Sequence, residues 1–121
     1  MPFALIGVSA ADAVGAQIPV ERILGPVLAI CGGQDELWPS CSYSEQITAR
    51  LDEHHDPFRH RQLSYPDAGH GVDILLPNLP TGGTETSSPL GTLYLGGSPV
   101  ANALARQDAW PQLLSFLTTS E

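Results

Sequence analysis

The chain contains no lysine. Its positive side chains are five arginines, scattered singly at Arg22, Arg50, Arg59, Arg61 and Arg106, against 13 acidic residues, for a formal net charge of −8. A nucleic-acid duplex or an anionic membrane surface finds no basic patch here, which excludes both as partners. Cysteine is almost as scarce: Cys31 and Cys41, ten positions apart, argue against a disulfide framework or a four-ligand zinc site and for a reducing compartment. Long hydrophobic runs are missing too. The apolar stretch at residues 2–8 (PFALIGV) has no positively charged start and falls far short of the about 20 residues that cross a bilayer. The expectation is a soluble, cytoplasmic chain without a leader. Charged residues are only 15% of the composition and apolar ones 42%, with 12 glycines and 11 prolines, which describes a globular chain with much loop. At 121 residues it fits one domain and can bury a real core.

The strongest local signals lie in the middle. Residues 26–31 (PVLAIC) are continuously apolar between Gly25 and Gly32-Gly33, the pattern of a strand buried on both faces in a parallel sheet. Tyr43, Ile47, Leu51 and His54 then recur at helical spacing, and Ser42 with Glu45 reads as a capping box, so a helix is expected over about 41–54. After the break at Asp56-Pro57, residues 60–65 (HRQLSY) alternate as a strand does. Strand, helix and strand together make a βαβ unit. Residues 71–99 are rich in proline and glycine and read as a long loop with a small hairpin around 92–95. The last helix opens with Ser98 as N-cap and Pro99 at its first position, with Leu104, Ala105, Ala109, Leu113, Phe116 and Leu117 as its apolar face. Pro111 is expected to kink it or to start a second helix capped near Asp108.

Two residues stand where open α/β sheets gather functional groups. Asp35 follows the first strand and His70 the second, so both belong to loops leaving the same sheet edge. Adjacent strands lie about 4.8 Å apart, which brings such side chains within hydrogen-bonding range. An aspartate there fixes the tautomer of a catalytic imidazole and stabilises its charged form, and the order acid before histidine suits the α/β-hydrolase plan. Asp67 and Asp73 flank His70 and compete as partners, although Asp67 in its Pro/Gly turn suits a self-capping role. His54, His55, Asp56 and His60 are not at ligand spacing on one face and read as a solvated helix end. Residues 7–11 (GVSAA) look like a degenerate nucleophile elbow, but Ser9 precedes Asp35 by less than the about 30 residues of one βαβ unit and is expected to be a decoy.

Taken together, Ile18-Pro19-Val20-Glu21, Gly25-Pro26, Gly33-Gln34-Asp35, Trp38-Pro39-Ser40, Tyr65-Pro66-Asp67-Ala68-Gly69-His70, Gly96-Gly97 and Asp108-Ala109-Trp110 resemble the C-terminal domain of the acyl-CoA thioesterase and bile acid-CoA:amino acid N-acyltransferase family. The resemblance spans residues 17–119 in unbroken order and leaves residues 1–16 as a poorly matched segment. It implies a dienelactone-hydrolase-like α/β-hydrolase fold, here its C-terminal portion in residues 17–121 with an incomplete sheet. It implies that Asp35 is the acid and His70 the base of a nucleophile-His-Asp triad acting on acyl-CoA. The serine or cysteine nucleophile and the oxyanion-hole amides of that family would precede residue 1. No cofactor or metal is implied; acyl-CoA would be the substrate of the parent enzyme.

The expected protein is therefore a fragment with acid and base but no nucleophile, at most trace activity alone, and self-association through an exposed sheet edge. The second expectation is a non-catalytic interaction or regulatory module on the same scaffold.

Overall fold

The computed structural model describes residues 15–73 and 84–119. Ser9 and residues 1–14 lie outside them. A 3₁₀ turn at Val20–Arg22 leads to strand β1 (Val27–Gly32), helix α1 (Ser40–Glu53), strand β2 (His60–Tyr65) and a second 3₁₀ turn at His70–Asp73. A hairpin of β3 (Glu85–Ser88) and β4 (Gly91–Tyr94) and the long helix α2 (Pro99–Thr118) complete the order. β1 and β2 pair in parallel from Val27 opposite His60 to Gly32 opposite Tyr65, so the expected βαβ unit forms with strand ends flush. The architecture is α/β, and among the described residues each strand of this sheet has one partner only.

Side chains alternate across a strand, and the two helices use both faces. Ile30 and Tyr65 pack on the buried cluster of Ala68, Val72 and Ala105, which places α2 on that face. Cys31 points the other way and is bonded to Cys41 in the first turn of α1. The expectation of complete burial is met only in part: Ala29 and Cys31 are buried, while Val27, Leu28 and Ile30 keep intermediate exposure.

The Cys31–Cys41 disulfide corrects the expectation of two unlinked thiols. The chain turns back directly after β1, so that Cα atoms ten positions apart in sequence stand 4.9 Å apart. The start of α1 is corrected as well. Its N-cap is Pro39, with no side-chain cap, and the Ser42/Glu45 box is not used. Ser40 instead bonds the end of β1: Gly32 N–H donates to its Oγ at 3.3 Å, and the hydroxyl donates to Gly32 O at 3.2 Å. This first turn serves the strand rather than its own helix.

Helix α2 begins as expected, with Ser98 Oγ accepting from Ala101 N–H at 3.1 Å and Pro99 next. It then runs through Pro111 without a second start. Proline removes only the bond to the carbonyl four residues back on an exposed stretch, and the Asp108 carboxylate is occupied elsewhere. Asp108 Oδ2 accepts from Tyr65 Oη at 2.8 Å and from Gln112 Nε2 at 2.6 Å. Burial and this carboxylate together push the Tyr65 phenol well up. The expected apolar face of α2 is met in part: Ala105 and Ala109 are buried and Leu113 and Phe116 half-buried, whereas Leu104 and Leu117 are exposed. Asn102 and Arg106 are buried beside the two alanines, which hydrophobic periodicity does not anticipate.

Polar contacts tie the elements at their outer ends. Glu21 forms a two-point ion pair with Arg50 of α1, which holds the Glu21 carboxyl down at about 2. Arg59 lies over the Phe116 ring, 4.2 Å from its centre, and donates to Phe116 O at 3.0 Å. The helix end at His54 and His55 is exposed, with His55 in the left-handed region at φ 52°. His60 is drawn instead to Asp52, Nε2 to Oδ1 at 2.8 Å, and this bond raises its pKa.

Replacing both cysteines by serine should cost about 3 kcal/mol, the loop-closure value for a loop of this length, measured as a lower urea midpoint relative to the oxidised chain. The His60–Asp52 pair should add stability that is fully present below the ordinary histidine value of 6.5 and is lost as pH rises through the raised folded value. Asp52→Asn should return the His60 titration, followed by NMR, towards 6.5.

Candidate functional site

Flush strand ends bring the loops after β1 and β2 to one edge of the sheet, and there Asp35 meets His70. The Asp35 side chain is 2% exposed, and its Oδ2 lies 3.1 Å from Nδ1 of His70. Its other oxygen caps the following turn, accepting from Leu37 N–H at 2.9 Å and Trp38 N–H at 3.2 Å. Three donors thus compensate a carboxylate that would be costly to bury alone. Because a carboxylate only accepts, Nδ1 carries the proton of this bond, and the neutral ring keeps Nε2 as its basic nitrogen. The imidazole is 18% exposed, and Trp38 meets it edge-on with ring centres 4.9 Å apart.

A third segment pins both loops. Leu95 O accepts from His70 N–H at 2.7 Å and from Glu36 N–H at 3.4 Å, and Gly96 forms an isolated bridge with Asp35. Main chain touches main chain here, which requires glycine. Gly96 sits at φ +78°, and a Cβ there would run into Gln34 O and Glu36 N. Gly69, just before the histidine, would collide with Gly96 in the same way.

The structure thus brings together the two residues singled out from the sequence. Asp67 is exposed on its turn, and the Nδ1 partner of His70 is Asp35. The side chain of Asp73 lies outside the described residues. Among the described residues no group of three or more His, Cys, Asp or Glu side chains gathers where a metal could sit. Sequence reasoning missed the polar residues of α2 at this site. Asn102 Oδ1 accepts from Gly69 N–H at 2.8 Å, and Arg106 Nε donates to Gly71 O at 2.9 Å. Their spacing of four residues on one helix face was the available signal.

The family described as "BAAT / Acyl-CoA thioester hydrolase C terminal" matches residues 7–120. Human acyl-coenzyme A thioesterase 6 is 33% identical over 100 residues, covering 82% of this chain and 23% of the relative. The mouse peroxisomal succinyl-coenzyme A thioesterase is 33% identical over 111 residues, covering 87% and 26%. Mouse mitochondrial acyl-coenzyme A thioesterase 2 is 35% identical over 100 residues, covering 82% and 21%. The chain spans about a quarter of the length of these relatives.

Gly96→Ala should destabilise the chain by about 2 kcal/mol, since it adds backbone strain to a close main-chain contact. The same substitution at Gly91, which has open space around its Cα at φ +120°, carries strain without the collision and should cost less. Urea midpoints of the two variants check the difference.

Proposed function

Because the chain belongs to the BAAT / acyl-CoA thioester hydrolase C-terminal family, we propose that it supplies the acid and the base of a nucleophile-His-Asp triad acting on an acyl-CoA thioester. The observation that carries the reading is the buried Asp35 carboxylate, held by two backbone N–H groups and bonded to Nδ1 of His70.

In this reading Nε2 of His70 takes the proton of a serine or cysteine nucleophile as that group attacks the thioester carbonyl. The C–S bond breaks, the CoA thiolate leaves with that proton, and an acyl-enzyme remains. His70 next deprotonates water, which releases the carboxylic acid, or admits an amine, which completes a transfer. Asp35 holds the ring and stabilises its transient positive charge. The nucleophile and the donors for the oxyanion come from outside residues 1–121, as part of an α/β-hydrolase sheet continuing from β1. Among the described residues the β1–β2 sheet keeps an unpaired edge, which supports this arrangement over the non-catalytic module, and self-association is what that edge would do without its partner strands. The chain on its own then has at most trace activity, because losing one oxyanion donor alone costs about 10²- to 10³-fold.

The relatives' names place one in the peroxisome and one in the mitochondrion. No described helix is long and apolar enough to cross a membrane.

The test replaces the matching C-terminal segment of human acyl-coenzyme A thioesterase 6 by residues 7–120 and follows release of free CoA thiol. The fusion should hydrolyse an acyl-CoA while the isolated chain does not. His70→Ala should lower kcat of the fusion by about 10²- to 10⁴-fold, and Asp35→Asn by up to about 10⁴-fold through loss of the correct tautomer. Full turnover by the isolated chain, or a fusion indifferent to His70, would sink the reading.

A further inference from the structure

We propose that Asn102 and Arg106, one turn apart on α2, are positioning residues for His70: they hold the main chain of the two glycines that flank it and so set where its ring stands relative to Asp35. The role assigned to His70 rests on the proposed function above, whereas the positioning itself rests on geometry alone.

Both side chains are almost completely enclosed, Asn102 at 0% and Arg106 at 2% exposure. A helix that only needed to pack on this loop would bury apolar groups there, as Ala105 and Ala109 do from the same face. Enclosing an amide and a guanidinium costs several kcal/mol unless hydrogen bonds compensate, and the bonds go to the main chain around the histidine. Gly69 N–H donates to Asn102 Oδ1 at 2.8 Å, and Gly71 O accepts from Arg106 Nε at 2.9 Å. Asn102 Nδ2 also reaches Gly96 O at 3.5 Å, which ties the helix to the junction that carries Leu95.

The residues beside His70 explain why such a grip is needed. Gly69 and Gly71 have no side chains to anchor in a core, and glycine leaves the backbone its widest freedom. A Cβ at Gly71 would stand 3.3 Å from Arg106 Nη2, so a larger residue there would press on the guanidinium. His70 N–H is held by Leu95 O at 2.7 Å. Three successive backbone groups are therefore fixed, two of them by α2. With those two released, the main chain of Gly69 and Gly71 loses its anchors on α2, and the alignment of the ring with Asp35 and Trp38 is no longer set from the helix.

The test is long-range ¹H–¹⁵N NMR of the His70 ring in the full chain. The unmodified protein should show one tautomer, protonated at Nδ1, and a Gly69 amide exchanging as slowly as the amides of β2. Asn102→Ala and Arg106→Met should mix the tautomers and speed exchange of the Nδ1 proton by about tenfold or more, with the β1–β2 amides unchanged. Arg106→Lys, which keeps a cationic donor for Gly71 O, should restore most of the single tautomer. A wild-type ring signature in both Asn102→Ala and Arg106→Met would overturn the proposal. If those variants lose the β1–β2 amide pattern, the unmodified chain decides: a Gly69 amide that exchanges as fast as that of exposed Asp67 rules the grip out. In the thioesterase fusion, Asn102→Ala should lower kcat by about 10- to 100-fold with little change in KM. An inactive fusion whose His70 tautomer still responds to Asn102→Ala counts against the triad reading and leaves the positioning intact.

Discussion

The parallel register of β1 and β2 is the constraint on which the rest depends. Pairing starts at Val27 with His60 and ends at Gly32 with Tyr65, so neither strand overhangs the other. The two loops leave at one level, and the carboxylate of one can reach the imidazole of the other. A register shift of one residue would invert the faces of the whole strand. Cys31 would then turn from α1 towards α2, and Ile30 from the Ala68–Val72–Ala105 cluster towards α1. The disulfide and the core cluster are therefore two independent locks on the same register.

Once the register is set, the site presents a problem of polarity more than of packing. Asp35, Asn102 and Arg106 are all nearly buried in a small chain whose fully buried apolar side chains near the site are mostly alanine and valine. Asp35 and Asn102 accept from backbone N–H groups and Arg106 donates to a backbone carbonyl, which offsets part of the cost of dehydration. These bonds are directional, and they fix angles that alanine contacts cannot. Desolvation is thus exchanged for orientation, and the orientation falls on the two side chains that face each other across the sheet edge.

The strands, the crossover helix and the Ser98 cap were legible in the sequence because each depends on neighbours within about ten residues: an apolar run between glycines, an alternating run, a serine before proline. Asp35 and His70 were legible for the same reason, since the end of each strand is local and the flush register follows from a tight βαβ unit. What was not legible depends on how the chain returns. The separation of Cys31 from Cys41 says nothing of their distance until the turn at Asp35 folds back. Hydrophobicity found only part of the stripe of α2 that faces inward, Ala105 and Ala109, because Asn102 and Arg106 are buried beside them while Leu104 and Leu117 face solvent. The need for glycine at position 96 is likewise invisible until Gln34 is seen against it.

Acid and base are therefore restrained by different physics. The acid turn lies between two covalently joined residues, and its carboxylate caps its own backbone at Leu37 and Trp38. Most of its order is local, so forming it requires little from the rest of the chain. The histidine opens a 3₁₀ turn, with Val72 N–H donating to Gly69 O at 3.3 Å, but its own N–H and both neighbouring glycines are held from elsewhere in the chain. It is flanked by glycines and is fixed by groups far away in sequence, from Leu95 to Arg106. Perturbations of the tertiary structure should accordingly reach the base before they reach the acid. Movement of the helix bearing Asn102 can displace His70 while Asp35 keeps its turn, whereas movement of the junction at Leu95 and Gly96 reaches both loops. The site is built as a fixed acceptor against which a tertiary-held imidazole is aligned, and the alignment is only as good as the seating of α2.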